Sequence, residues 1–450
     1  MITELSAENF KSWQHLSLDG GRPMRLAPLT GIFGTNSSGK TSILQLLLVL
    51  KQTVEASDPN TVLQFGGERA YVELGTFEDI VYGRKSTGSI SIALKWKHGY
   101  FSTLIRGNQS SLVCQEFNYR FRRPEDSMYL GMKAADDQNH VYILEGRMPK
   151  LNSEQSSGKV EDIFVSGVPA PLKFYSFPQE ARRLYAMSSD DNGKSFSTMY
   201  MRMSELTRSL EGLFSQIYYL GPLRADPRRS YTWSGERPKD VGRKGELTVA
   251  ALLTSNPNRN GEKSAAEMVA HWLKEMGLIH SFEVFKYGRD YEVRIKKTVN
   301  APEVLITDVG FGVSQIVPVL TLLYYVPKGS IVILEQPEIH LHPKAQAELA
   351  DVLIAAIKER NLQIILESHS EHLLRRLQRR IAEEEFKAED AALYFCTADD
   401  KGTSHLEELK LNEYGYITNW PHDFFGDEME DLAAQGKAMV KRRQRQKAAV

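Results

Sequence analysis

The sequence predicts an α/β fold: a mixed sheet flanked by helices, with a β-rich N-terminal lobe, a helical insertion and no long coiled coil. Three observations point there. First, Gly34-Thr35-Asn36-Ser37-Ser38-Gly39-Lys40-Thr41 stands between a short apolar run at 29–33 and a longer one at 42–50, which reads as strand, glycine-rich turn and helix. Second, from about residue 290 strand-like runs at 291–295, 331–334, 363–366 and 392–395 alternate with helical stretches, the pattern of a sheet covered by helices. Third, residues 61 to about 175 show period-two alternation, as at Ile90, Ile92, Leu94 and Trp96, which marks half-buried strands.

Bulk properties narrow the class. The 450 residues allow about three average domains. A hydrophobic content of 42% supports a sizeable core, and a net charge of −1 gives the surface as a whole no attraction for nucleic acid or membrane. Two cysteines, Cys114 and Cys396, make neither a disulfide framework nor a metal cluster. Met1-Ile2-Thr3-Glu4 opens without the basic and apolar regions of a signal peptide. The apolar run 43–50 is far short of the ~20 residues of a membrane span. A cytoplasmic, membrane-free setting is expected.

In chain order, the expected organisation is an N-terminal lobe over 1–175, an inserted helical segment over 176–285, a C-terminal lobe over 286–410 and an extension over 411–450 with a basic tail. Within these, 152–170 reads as an exposed Ser/Gly-rich loop, and 178–215 and 265–276 as helical.

The glycine-rich turn fits G-x-x-x-x-G-K-[ST] at every fixed position. Such a loop wraps an anion with backbone N–H groups at a helix N-terminus. Gly34, Asn36, Ser37, Ser38, Gly39, Lys40, Thr41 and Ser42 are therefore the expected phosphate cradle for ATP. Lys40 would reach the β- and γ-phosphates, and the Thr41 hydroxyl would ligate Mg²⁺.

Ser330-Ile331-Val332-Ile333-Leu334-Glu335 is an apolar strand ending in an acid, suited to place a carboxylate beside Mg²⁺. A second such strand runs into Glu367-Ser368-His369-Ser370, where His369 is placed to donate to the terminal phosphate. Taken singly, a strand-end acid is as often merely solvated and a lone histidine structural; their order after the phosphate loop favours the site. Between them, Gly310 and Gly312 precede a helix carrying Ser314. One nucleotide rarely uses two glycine loops of one subunit, so this loop is expected to complete a neighbour's site; the alternative is a structural helix entry.

In this order the elements resemble the ABC-type ATPase heads of the SMC, Rad50 and RecF group. Glu8-Asn9-Phe10-Lys11-Ser12-Trp13 is similar to their first-strand motif, and the phosphate loop to theirs. Glu335-Gln336-Pro337-Glu338-Ile339-His340-Leu341-His342-Pro343 resembles the D-E-P-E-x-x-L-H-P stretch of OLD-family and related AAA ATPases. Tyr219-Leu220-Gly221-Pro222-Leu223-Arg224 and Asn419-Trp420-Pro421-His422-Asp423-Phe424-Phe425 look like a bacterial subfamily with an uncharacterised C-terminal region.

The resemblance implies a homodimer or higher oligomer that sandwiches Mg-ATP between the phosphate loop of one protomer and the signature loop of the other. Carried over, Glu335 is the Mg²⁺-associated acid, His369 the switch histidine, and Gly310, Gly312 and Ser314 the signature acting in trans. Gln64 is a candidate metal-side glutamine or an ordinary strand residue. The departure from the pattern is Gln336, which stands where the family carries its catalytic glutamate. An amide cannot accept a proton from water, and general-base help is worth ~10²–10⁴ in rate. Either hydrolysis is slow, or Glu338 or His342 substitutes, or Glu335 itself is the base.

Basic clusters at Arg224, Arg228 and Arg229 beside Tyr231 and Trp233, at Arg375, Arg376, Arg379 and Arg380, and over 437–447 are candidate DNA contacts. Solvated or ion-paired faces are the competing account. No nuclease centre is visible, so a separate nuclease or toxin effector is expected, in a DNA-related or antiphage role. A nucleotide-gated scaffold that holds and releases a partner protein with little turnover is the second reading, and a transporter motor the third.

Overall fold

The structure is a computed structural model that describes all residues except 69, 98, 109–110, 123–126, 136–140, 150–159, 179–193, 256–262, 422–434, 436–437 and 440–450. The expected basic tail therefore lies outside the described residues apart from Ala438 and Met439.

The chain opens with β1 (Ile2–Phe10), β2 (Trp13–Leu16) and β3 (Met24–Arg25), then β4 (Leu29–Gly34) and helix α1 (Lys40–Glu55). A short helix, α2 (Phe77–Ile80), leads into β5 (Thr87–Trp96), β6 (Gly99–Asn108), β7 (Leu112–Arg122), β8 (Ser127–Ala134), β9 (Tyr142–Pro149) and β10 (Val160–Val168). Strands β5 to β10 form an antiparallel meander whose order continues through β5 onto β1 and β2.

Helix α3 (Lys194–Ser215) and strand β11 (Ile217–Leu220) follow, then α4 (Thr248–Thr254), α5 (Ala265–Glu275), and strands β12 (Ser281–Tyr287), β13 (Asp290–Lys296) and β14 (Val304–Leu305). Next come α6 (Phe311–Tyr325), β15 (Ile331–Glu335), α7 (Pro343–Arg360), β16 (Gln363–Glu367), α8 (Glu371–Ala382), β17 (Ala391–Ala398) and β18 (Ser404–Glu408).

The central sheet has the order β11-β15-β16-β4-β17-β18 and is parallel except for the β17–β18 pair. Strands β11, β15, β16 and β4 are almost wholly apolar because both faces are covered, whereas the edge strand β18 carries His405, Glu407 and Glu408. Ile331, Ile333 and Ile365 join a core with α1 and the antiparallel sheet. Val332, Leu334, Ile364 and Leu366 join a second core with the helices from α4 onward. Helix α1 is packed inside the first core, which explains its near-continuous apolar run from Ile43 to Leu50. Gln363 ties the two sheets together: its Oε1 accepts from Ile2 N at 2.8 Å and its Nε2 donates to Ile2 O at 2.6 Å.

Three expectations change. The run at 291–295 is not in the parallel sheet but in β13, which pairs with β12 across a turn at Gly288 (φ 60°). The turn directs the chain straight back on itself, so no crossover to the central sheet is available. The exposed loop expected over 152–170 gives way from residue 160 to strand β10, where Ile163 and Val165 are buried around an exposed Phe164. Interspersed charges conceal that alternation. Within the interval expected as a helical insertion, β11 is an edge strand of the central sheet, paired in parallel with β15.

Among the described residues no helix is long and apolar enough to cross a membrane.

Candidate functional site

The central sheet brings the C-terminal ends of β4, β16 and β15 side by side, with Ile32, Glu367 and Glu335 aligned in register. Ligands of parallel α/β sheets bind beyond the strand ends on that edge. There a pocket of about 320 Å³ is lined by Ser12, the loop residues Asn36 to Ser42, Gln336, Glu367 and His369.

The loop is built for close approach. Gly39 is in the left-handed region (φ 91°), and a Cβ there would stand 2.3 Å from Ser404 Oγ and 2.8 Å from Ser12 Oγ. Its carbonyl accepts from Trp13 Nε1 at 3.1 Å, so the start of β2 buttresses the loop. Ser38 Oγ closes the turn by donating to Thr35 O at 2.8 Å. Lys40 Nζ donates to Gly34 O and Thr35 O, at 3.0 and 2.5 Å. Burial lowers its pKa, opposed by the charge of Glu367.

Thr41 Oγ1 donates to Glu367 Oε2 at 2.8 Å. Glu367 is buried, and burial raises its pKa while Thr41, Lys40 and the Gln336 side chain lower it through their contacts. Glu335, expected at this position, does not line the pocket. Its Oε1 accepts from Tyr219 at 3.0 Å on the far side of β15, and burial beside Glu367 pushes its carboxyl up to about 7.

Gln336 turns into the pocket through a left-handed backbone (φ 44°), an uncommon state for a residue with a side chain. Arg224 holds that turn from below, donating to Glu335 O and Gln336 O, each at 3.1 Å.

Glu338 is a strut rather than a base. Its Oε1 accepts from Ser368 Oγ at 2.8 Å and His369 N at 2.7 Å, locking the loop after β16 to the turn after β15. His342 is the N-cap of α7 and stands outside the pocket. His369 does line it, and burial together with the Lys40 charge keeps its imidazole below the usual pKa. A neutral ring at physiological pH still offers an N–H donor.

Gln64 is not at the site. Its backbone N–H donates to Thr53 Oγ1 near the C-terminal end of α1, opposite the phosphate loop, and its side chain bonds Gly66 O. At 1.5 Å per residue the helix separates it from Thr41 by about 18 Å.

The Gly310 loop also lies outside this pocket. Gly310 is the N-cap of α6 and exposed, with open space where a Cβ would stand. Gly312 packs on His340, where a Cβ would lie 2.7 Å from its carbonyl oxygen. Ser314 is buried with its Oγ donating to Phe311 O at 2.7 Å, so it is a helix-turn residue rather than a presented hydroxyl.

The basic clusters are largely engaged. Arg229 pairs with Asp308, and Trp233 packs edge-on to Tyr291. Arg376 and Arg380 converge on Asp351, and Arg379 pairs with Glu383. Arg375 pairs with Glu371 and stacks over Trp420.

A backbone cradle, a lysine at its mouth and a hydroxyl–carboxylate pair fit a triphosphate with Mg²⁺, which takes one or two carboxylates plus phosphate oxygens. Sequence reasoning passed over Glu367. The signal was there: Gln363-Ile364-Ile365-Leu366-Glu367 repeats the form of Ile331-Val332-Ile333-Leu334-Glu335.

Strand, glycine-rich loop, helix and the carboxylate beside Thr41 together make the geometry of a P-loop nucleotide site. The AAA ATPase domain family matches residues 250–374, and a family described as a protein of unknown function, DUF3696, matches 386–435. Among solved structures, the chain is similar to the SMC head domain from Thermotoga maritima at 12% identity and TM-score 0.38, covering 91% of this chain and 99% of that one. An SmcHead bound to the C-winged helix domain of ScpA matches at 11% and 0.37, covering 92% and 98%. The Smc head with an extended coiled coil bound to the ScpA C-terminal domain, from Pyrococcus furiosus, matches at 10% and 0.40, covering 91% and 96%.

Proposed function

We propose that the chain binds Mg-ATP in this pocket, hydrolyses it slowly, and closes as a homodimer in which one protomer's phosphate loop holds each nucleotide and the other's Gly310–Gly312 loop covers it. One observation carries the dimer: Gly310 is exposed at the N-terminus of a 15-residue helix yet contributes nothing to its own protomer's pocket. A helix N-terminus with a free N–H and an open approach favours an anion, and a second protomer brings one.

Within the pocket, the loop N–H groups and Lys40 hold the phosphates, Thr41 offers its hydroxyl to Mg²⁺, and His369 donates to the terminal phosphate. Mg²⁺, when bound, neutralises charge on the phosphate oxygens. Gln336 orients a water through its amide but cannot take its proton, which makes turnover slow. The same residue favours the second reading, a nucleotide-gated scaffold. By the resemblance of its motifs, the clamp acts in DNA-related processes or phage defence through a separate effector or nuclease.

Light scattering on the purified chain with Mg²⁺ and a non-hydrolysable ATP analogue tests the reading. The wild type dimerises on nucleotide addition. Gly310→Arg, at an ordinary φ of −56° with no neighbour in the way, still binds nucleotide but stays monomeric. A variant that dimerises like wild type defeats the trans assignment. DNA stimulation of the ATPase separates a DNA-linked role from the scaffold.

A further inference from the structure

We propose that Glu367, not Glu335, is the carboxylate of the Mg²⁺ site, so that the acid is delivered from the strand lying between the phosphate-loop strand and the strand of Glu335. The inference rests on the Mg-ATP reading above and deepens it.

Reach is the first argument. Strands lie about 4.8 Å apart, so β16 is one spacing from β4 and β15 is two, about 10 Å. Glu367 and Glu335 are in register on those strands and have side chains of equal length. Glu367 Oε2 meets Thr41 Oγ1 at 2.8 Å, whereas Glu335 is drawn toward Tyr219 on the next strand out.

Hydrogen-bond direction is the second. Thr41 donates its proton to Glu367, which leaves the hydroxyl lone pairs free for a cation. The other carboxylate capacity of Glu367 remains for the metal or its waters. Hard oxygen donors, one acid and two phosphate oxygens suit Mg²⁺, which does not need an all-protein cage.

Gln336 points the same way. Its side chain lines the pocket with Glu367, and the amide dipole lowers the pKa of that carboxyl. With acids already at 335 and 367, a glutamate at 336 would set a third carboxylate against Glu367 in a buried site, where like charges are costly. The amide at 336 thus faces Glu367 without adding a charge beside it.

The test measures binding of a fluorescent ATP analogue, in EDTA and in Mg²⁺, to wild type, Glu367→Gln, Glu335→Gln and Lys40→Ala. Wild type binds in EDTA and gains affinity with Mg²⁺. Glu367→Gln binds at least as well in EDTA, since a negative charge facing the phosphates is gone, which also shows that the variant is folded. It loses about tenfold or more of the Mg²⁺-dependent gain. Glu335→Gln keeps that gain. A Glu367→Gln protein with the full Mg²⁺ gain, or equal losses in the two glutamine variants, overturns the inference. Wild type that binds no nucleotide, or Lys40→Ala that binds like wild type in both buffers, instead refutes the nucleotide reading and the inference with it.

Discussion

Thr41 hydrogen-bonds to Glu367 and not to Glu335, although the two acids stand in register on neighbouring strands. The difference follows from strand order together with the hydrogen bond that Tyr219 gives Glu335. β16 is inserted between β4 and β15, so the later acid in the chain is the nearer one in space. Around that contact the pocket wall is made of an acid, an amide and a histidine supported from behind by Glu338 and Arg224.

Gln336→Glu is expected to speed hydrolysis. Two effects compete. A carboxylate at the mouth of the pocket supplies a general base, worth about 10²–10⁴ in rate. The same charge repels Glu367 and weakens Mg²⁺ binding. At saturating Mg²⁺ the second effect vanishes and the first remains. Single-turnover rates should therefore rise about tenfold or more over wild type, while the Mg²⁺ concentration for half-maximal rate also rises. A fast wild type whose rate the substitution leaves untouched would show that the base lies elsewhere.

Features that depend on local spacing were legible in the sequence. The phosphate loop has fixed positions, and its flanking strand and helix are nearly continuous apolar runs, so the order of strand, loop and helix over 29–55 could be read directly. Strand ends carrying Glu335 and His369 were legible for the same reason. Which acid meets Thr41 was not, because lateral strand order is a tertiary property that no period records. Gln64 was a candidate by resemblance alone, and the segment that carries it meets the C-terminal end of α1 at Thr53 rather than the phosphate loop. Arg224 sits in a surface-like run with Arg228 and Arg229, yet only its guanidinium is drawn under the β15 turn, by carbonyls about 110 residues away.

Arg224 should matter to stability rather than to a nucleic-acid surface. It is buried, and its guanidinium satisfies the last carbonyl of β15 and the one after it, beside the carboxylates of Glu335 and Glu338. Arg224→Ala strands those groups without a partner, a loss on the order of 3 kcal/mol. Arg224→Lys keeps the charge but not the forked geometry and should recover only part of it. Urea unfolding checks this: midpoints should fall in the order wild type, Lys, Ala at constant m. Equal midpoints would mean that the turn is held without the guanidinium.

Glu335 should make the nucleotide-free protein less stable as pH rises. Burial and the neighbouring Glu367 lift its folded pKa to about 7, from an ordinary value of 4.5 in the unfolded chain. Between those values the folded state binds more protons than the unfolded one, so stability declines with increasing pH across that window. Glu335→Gln removes the titration and still accepts from Tyr219. Relative to wild type, the variant should gain on the order of 2 kcal/mol between pH 5 and pH 8. Denaturant unfolding in EDTA at the two pH values measures the difference. A stability gap between variant and wild type that is the same at both would mean that Glu335 is ionised throughout, with its charge satisfied by Arg224 and Tyr219.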